Sequence, residues 1–142
     1  MLGVIGRHRV RSESFYRLTE EQKAKVEELR RMNFPSVESI KDIELEGSDI
    51  GMAALSSAIS IRLDPHLSIS RDVELIRNNL ATAAIVHFSM SHHLLEKKPD
   101  MLYLMNGRLA EIRPAMRVAE KFGVRAQIYE RTTRQDRYTC FN

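Results

Sequence analysis

Apolar positions along this chain change their period twice, and the changes divide it into elements. After Thr19 the chain is charged, with a thin apolar stripe at Ala24, Val26, Leu29 and Met32. Thr19 suits a helix cap, Glu20 and Glu21 its first turn, and Gln22 the reciprocal position of a capping box. The helix is expected to lie at the periphery and to end near Asn33, ahead of Pro35. Residues 37–45 fit two patterns. Val37, Ile40 and Ile43 have helical spacing, whereas Ile43 and Leu45 alternate as in a strand.

The next two stretches are helical throughout. With Ser48 as cap, Ile50, Ala54, Leu55, Ala58, Ile59 and Leu63 form one apolar face, which Asp64-Pro65 ends. With Ser70 as cap, Val73, Ile76, Leu80, Ala84, His87, Ser91 and Leu94 form another. Lys97 and Lys98 suit that helix's negative end, and Pro99 stops it. The stripe makes His87 a buried core histidine.

Beyond Pro99 the period changes again. Residues 101–105 are solidly apolar, the signature of a buried parallel strand. Asn106-Gly107 turns the chain, with Gly107 expected to supply the conformational freedom. Pro114 requires the following helix to start between Ala110 and Arg113, and Gly123 suits its end. A second strand is expected at 124–129, ended by Glu130. Strand, helix and strand in this span form a right-handed βαβ unit. Its parallel strands end at one sheet edge, where open α/β sheets bind ligands. Asn106-Gly107-Arg108 and Glu130-Arg131 therefore share that edge. The predicted fold is helix-rich α/β, an incomplete Rossmann-like three-layer sandwich with a short parallel sheet. Residues 1–46 form a peripheral segment with one charged helix, and 47–142 the α/β portion. No terminal element is expected at 139–142, so the sheet looks unfinished and calls for a further domain or an oligomeric partner.

Composition narrows this picture only a little. The chain has 142 residues, one ordinary domain's length, and its 43% hydrophobic and 29% charged residues are close to a normal globular mix. Its net charge is +3, and the excess arginine gathers after Arg108, giving either a phosphate-facing or a merely solvated surface. Tyr138 and Phe141 interleave with Arg134 and Arg137, a thin pattern for stacking on nucleic acid. Cys140 is the single cysteine, so no intrachain disulfide forms. No apolar run reaches the roughly 20 residues of a membrane helix. A cytoplasmic location, or one peripheral to the inner membrane, is the expectation.

Candidate chemistry lies in few residues. Arg108 and the amide groups after Gly107 suit an anion, and Glu130 suits a general base, a sugar-hydroxyl ligand or an ion-pair partner of Arg108 or Arg131. Asp49 and Gly51 open a helix that either caps itself or faces the same cleft. His92 and His93 point about 100° apart on a helix and match no metal motif, so neither a metal nor a cofactor is expected.

These residues carry a family resemblance. Lys98-Pro99-Asp100, an apolar strand, Asn106-Gly107-Arg108, a helix with Ala119-Glu120, Gly123-Val124 and Tyr129-Glu130-Arg131 follow in order. With Ser48-Asp49-Ile50-Gly51 and Leu55-Ser56-Ser57 upstream, residues 47–142 resemble the amino-terminal half of bacterial capsular-polysaccharide-type glycosyltransferases. The resemblance implies a GT-B fold and transfer of a sugar from a nucleotide-diphosphate donor to a polysaccharide or lipid-linked acceptor. This chain would be the acceptor-side portion, inactive alone. Glu130 would be catalytic, and Asn106, Gly107, Arg108, Arg131, Asp49 and Gly51 would bind substrate. The alternatives are a non-catalytic α/β binding or assembly module, and a weak nucleic-acid binder.

Overall fold

The computed structural model describes residues 14–131 and 138–141. The apolar run at 1–5 and the arginines at 134 and 137 lie outside these residues. So do the side chains of Arg131, Tyr138 and Phe141.

Five helices precede or interleave with three strands: α1 (Glu20–Arg31), α2 (Glu38–Lys41), α3 (Ile50–Arg62), α4 (Ile69–Lys97), β1 (Met101–Met105), α5 (Arg113–Lys121), β2 (Arg125–Arg131) and β3 (Tyr138–Phe141). Helix α1 carries the expected capping box. Thr19 Oγ1 accepts from the Gln22 N–H at 3.2 Å, and Gln22 Oε1 accepts from the Thr19 N–H at 2.9 Å. The ambiguous 37–45 stretch resolves into short α2 followed by a tight turn, in which Leu45 and Ser48 exchange backbone hydrogen bonds of 2.9 Å.

Two helix starts differ from the sequence reading. The cap of α3 is Asp49 rather than Ser48, because the Ser48 hydroxyl is engaged by His87. The cap of α4 is Ser68 rather than Ser70, and Asp72 reaches back to accept the Ser68 N–H at 2.9 Å. Arg71 and Arg62 also donate to Asp72. The Arg71 hydrogen bond, joined by the Ser68 N–H, holds the Asp72 carboxyl at about 2.

Helix α4 has 29 residues, so it is roughly 43 Å long at 1.5 Å per residue. Its amino-terminal part packs on α1 and α3. That core holds Val26, Leu29, Ile40, Ile50, Ile76 and Leu80, with alanines 53, 54, 58, 81, 83 and 84 between the helices. Alanine lets two helix backbones come close, and the larger side chains each contribute about 1.5–3 kcal/mol on burial. The carboxyl-terminal part of α4 supplies Val86, Met90 and Leu94 to a second cluster with Leu104, Ala115, Val118 and Ala119. This cluster holds the sheet.

Strands β1 and β2 are parallel, with Met101 opposite Arg125 and Met105 opposite Tyr129. The expected strand–helix–strand unit is therefore present. The sheet is mixed, however, because β3 pairs antiparallel with β2. The carboxyl-terminal residues thus form a strand where none was expected. Tyr138-Thr139-Cys140-Phe141 is aromatic and β-branched, and it takes the free edge of β2. Pairing with β3 also carries β2 on to Arg131, so Glu130 sits within a strand instead of ending one.

Strand β1 is not a buried central strand either. It lies at the sheet edge, Leu104 alone is buried, and Tyr103 and Met105 are 68% and 53% exposed. Leu102, Leu104, Ala126 and Ile128 face the helices. Among the described residues no helix covers the opposite face, so the architecture is helices on one side of a small mixed sheet.

Gly51 sets the distance between α2 and α3. A Cβ at this position would stand 1.8 Å from the Ile40 carbonyl oxygen, a backbone atom that cannot swing away. The Gly51 N–H meanwhile donates to Ile43 O at 2.9 Å. Gly51→Ala is expected to lower stability by about 2–3 kcal/mol through overpacking, read as a shifted urea midpoint. An unchanged midpoint would show that α2 yields freely.

Candidate functional site

The carboxyl ends of β1 and β2 lie side by side. The Asn106 N–H donates to Tyr129 O at 3.1 Å, one step beyond the last paired residues. Asn106 itself takes the left-handed conformation, with φ 62°. Asparagine tolerates this region better than other residues with a Cβ. Gly107, in contrast, has no positive φ, which corrects its expected role as the flexible residue of the turn. A Cβ there would lie 3.3 Å from Ile128 Cδ1 and 3.6 Å from Met116 Sδ. Gly107 is small so that the turn can sit down on the sheet and α5.

Arg108 is exposed, and its Nε donates to Asn106 Oδ1 at 3.1 Å. The Arg108 N–H also turns back to Asn106 O. The asparagine thus fixes both the backbone and the guanidinium of the arginine. Glu130 is exposed, and alternation along β2 sets it on the side of Ala126 and Ile128, the side that α5 covers. Asn106, Gly107, Arg108 and Glu130 therefore share one edge. Among the described residues no ion pair joins Glu130 to Arg108. The Arg131 backbone pairs with Tyr138 at the same edge.

Asp49 and Gly51 stand apart from that group. Gly51 is buried against α2, as described above. Asp49 meets the flank of α5, accepting from Arg113 Nε at 2.8 Å, Arg113 Nη2 at 2.5 Å and Arg117 Nε at 3.0 Å. Burial would push its carboxyl up, but the hydrogen bonds and charges of Arg113 and Arg117 outweigh burial and hold it at about 2. Arg117, bonded to Asp49 and Glu120, is raised in turn. Two further ties run parallel to this one. The Ala110 N–H donates to Ser57 Oγ at 2.8 Å in a buried bond, and Lys121 Nζ reaches Glu46 Oε2 at 3.0 Å. Together they pin the loop after Arg108, and α5 behind it, to the start of α3. Asp49 positions the site and does not line it. In the sequence Ser57 stood out only within Leu55-Ser56-Ser57, and Arg113 and Arg117 only as part of the arginine excess after Arg108. Their partners lie 53 and more residues away, beyond the reach of local pattern.

A buried Ser48–His87 pair, with exposed Glu46 beside it, lies at the Leu45–Ser48 turn. Ser48 Oγ and His87 Nδ1 are 2.8 Å apart, and His87 Nε2 is 3.5 Å from Glu46 Oε2. The nearby carboxylate places the ring proton on Nε2, so the Ser48 hydroxyl donates to Nδ1. The residue types match a nucleophilic triad, but the burial does not. Ser48 is 2% and His87 0% exposed, so no substrate reaches the hydroxyl. The group ties the 45–48 turn to α4. Nε2 has no full hydrogen bond, and burial pushes the imidazole below its ordinary value of 6.5, against the opposing pull of Glu46.

A cavity of about 600 Å³ lies away from the sheet edge, lined by α1, the Leu45-Glu46 turn and Phe88. Its rim carries Glu21, Lys25 and Glu28, charges of both signs. Among the described residues no group of three His, Cys, Asp or Glu is arranged to hold a metal ion, and no helix is long and apolar enough to cross a membrane.

Two pH dependences follow. Asp49 has a folded value below its ordinary 3.8, so its contribution is complete above about pH 4 and is lost as pH falls through about 2. Asp49→Asn is expected to lose about 2 kcal/mol at neutral pH and to flatten the acid limb of a stability–pH curve. An equally steep limb in the variant would remove the clamp from the account. His87 is also lowered, so the unfolded chain takes up its proton first. Stability is full above 6.5 and declines as pH falls below it, toward the folded value. NMR titration of the His87 ring is expected to show a midpoint under that of a denatured reference, and a midpoint above it would reverse the sign.

No protein-family model matches the chain, and no curated protein or solved structure matches it either.

Proposed function

We propose that this chain is the acceptor-side portion of a glycosyltransferase that moves a sugar from a nucleotide-diphosphate donor to a polysaccharide or lipid-linked acceptor. One observation carries the reading. Asn106, Gly107, Arg108 and Glu130 stand together at the carboxyl edge of two parallel strands, with the Asn106 N–H bonded to Tyr129 O at 3.1 Å. This edge is the ligand-binding side of open α/β sheets. The order of the motifs around it resembles capsular-polysaccharide-type transferases.

In this reading the fold is part of a Rossmann-like three-layer domain of GT-B type, whose donor-binding half lies outside these residues. Glu130 accepts the proton of the attacking acceptor hydroxyl as that oxygen bonds the sugar's anomeric carbon and the nucleoside diphosphate departs. Arg108, held by Asn106, meets a phosphate or a sugar hydroxyl, and Arg131 serves the same edge. The Asp49 clamp on Arg113 and Arg117 keeps the loop after Arg108 in place.

The test is sugar transfer from nucleotide-diphosphate donors by the whole protein that contains this chain. Glu130→Gln is expected to lower kcat by roughly a hundredfold or more, and Arg108→Ala chiefly to raise KM. Full activity in both variants would sink the assignment. A second reading, a non-catalytic assembly module, draws on the open edge and face of the sheet. Calorimetry that detects no nucleotide-sugar binding by the whole protein would favour it.

A further inference from the structure

Among the described residues β1 ends the sheet. The order is β1-β2-β3, so one side of β1 pairs with β2 and the other meets no described strand. The Asn106 N–H points at β2, where it bonds Tyr129 O. Backbone groups alternate along a strand, so Leu102 and Leu104 also turn theirs to β2, whereas Met101, Tyr103 and Met105 turn theirs outward. The same three residues carry their side chains on the uncovered face, with Tyr103 and Met105 more than half exposed. Residues 101–105 contain no proline and no charge, two of the devices that commonly protect a sheet edge.

We propose that a second copy of this chain covers the edge. The two β1 strands pair antiparallel about a two-fold axis at Tyr103, and the two three-stranded sheets become one continuous sheet.

The strand's own sequence selects a copy over an unrelated partner. Met-Leu-Tyr-Leu-Met reads the same in both directions. An antiparallel pairing centred on Tyr103 therefore sets Tyr103 against its mate, Leu102 against Leu104 and Met101 against Met105. A two-fold interface requires this self-complementarity. The three outward-facing residues all fall in hydrogen-bonded positions, where each pair exchanges both N–H···O bonds. Leu102 and Leu104 extend the helix-side cluster across the axis, while the tyrosines and methionines form a continuous stripe on the other face. In this register Asp100 falls opposite Asn106 of the second copy, and Lys98 opposite its Arg108, so charge adds nothing to the pairing. The proposal does not depend on the glycosyltransferase reading.

Sedimentation velocity of the whole chain is the first measurement, with a dimer expected at roughly 100 µM and below. In a Cys140→Ser background, Tyr103→Cys is expected to form a disulfide-linked dimer on mild oxidation. Hydrogen-bonded antiparallel pairs have Cα atoms about 5.5 Å apart, within the disulfide range. Met105→Cys alone should not crosslink, whereas Met101→Cys with Met105→Cys should. Tyr103→Lys, a change at an exposed position, should give a monomer with an unaltered circular dichroism spectrum. A native chain that stays monomeric overturns the proposal whatever the variants do, and leaves the edge to a strand of another protein. A dimer that survives Tyr103→Lys, or that crosslinks as readily through Met105→Cys alone, overturns it as well.

Discussion

One helix is shared by both cores, and everything else is arranged around it. The first half of α4 closes the core of α1, α2 and α3, where alanines bring two helix backbones close. Its second half carries Val86, Met90 and Leu94 into the cluster under the sheet. A sheet of three short strands buries little surface by itself. It holds its shape because α4 and α5 supply the other side of its apolar layer. The ends of α4 are fixed separately, by Asp72 at the start and by the left-handed Lys98 at the close.

The candidate edge inherits its geometry from this arrangement through polar ties more than through packing. Ser57 holds the loop at Ala110, Asp49 holds Arg113 and Arg117, and Glu46 holds Lys121. All three anchors lie within or just before α3. The exposed groups, Arg108 and Glu130, therefore stand on a loop and a strand whose positions are set by a helix start far away in sequence. A part-buried carboxylate paired with two guanidinium groups is well suited to this, because removing either side leaves charge poorly compensated.

Punctuation was the most legible part of the sequence. The Thr19–Gln22 box, Pro99, Pro114 and Gly123 mark boundaries through local chemistry, and the corresponding elements are present. Properties that depend on distant partners were not legible. An apolar run such as 101–105 reads alike at the centre of a sheet and at its edge, since only its neighbours distinguish them. Ser48 looked like a cap because its competing partner, His87, is 39 residues on. Gly107 looked like the flexible residue of its turn, yet Asn106 holds the left-handed conformation and Gly107 makes room for Ile128. Local preference predicted a turn there, and tertiary packing decided which residue bends. The same holds for Asp49 and Gly51, whose contacts with α5 and α2 no local spacing reveals.

The clamp also fixes an order of events. Synthesis runs from the amino end, so Asp49 and Ser57 leave the ribosome 64 and 53 residues before the groups they bind. All residues of α1 to α4 are synthesised before the first residue of the sheet. Until the later residues arrive, the Ser57 hydroxyl lacks the Ala110 N–H, and the Asp49 carboxylate lacks Arg113 and Arg117. The nascent chain thus presents a polar seam along α3, and the later-made strand–helix–strand part, which carries the candidate chemistry, closes it.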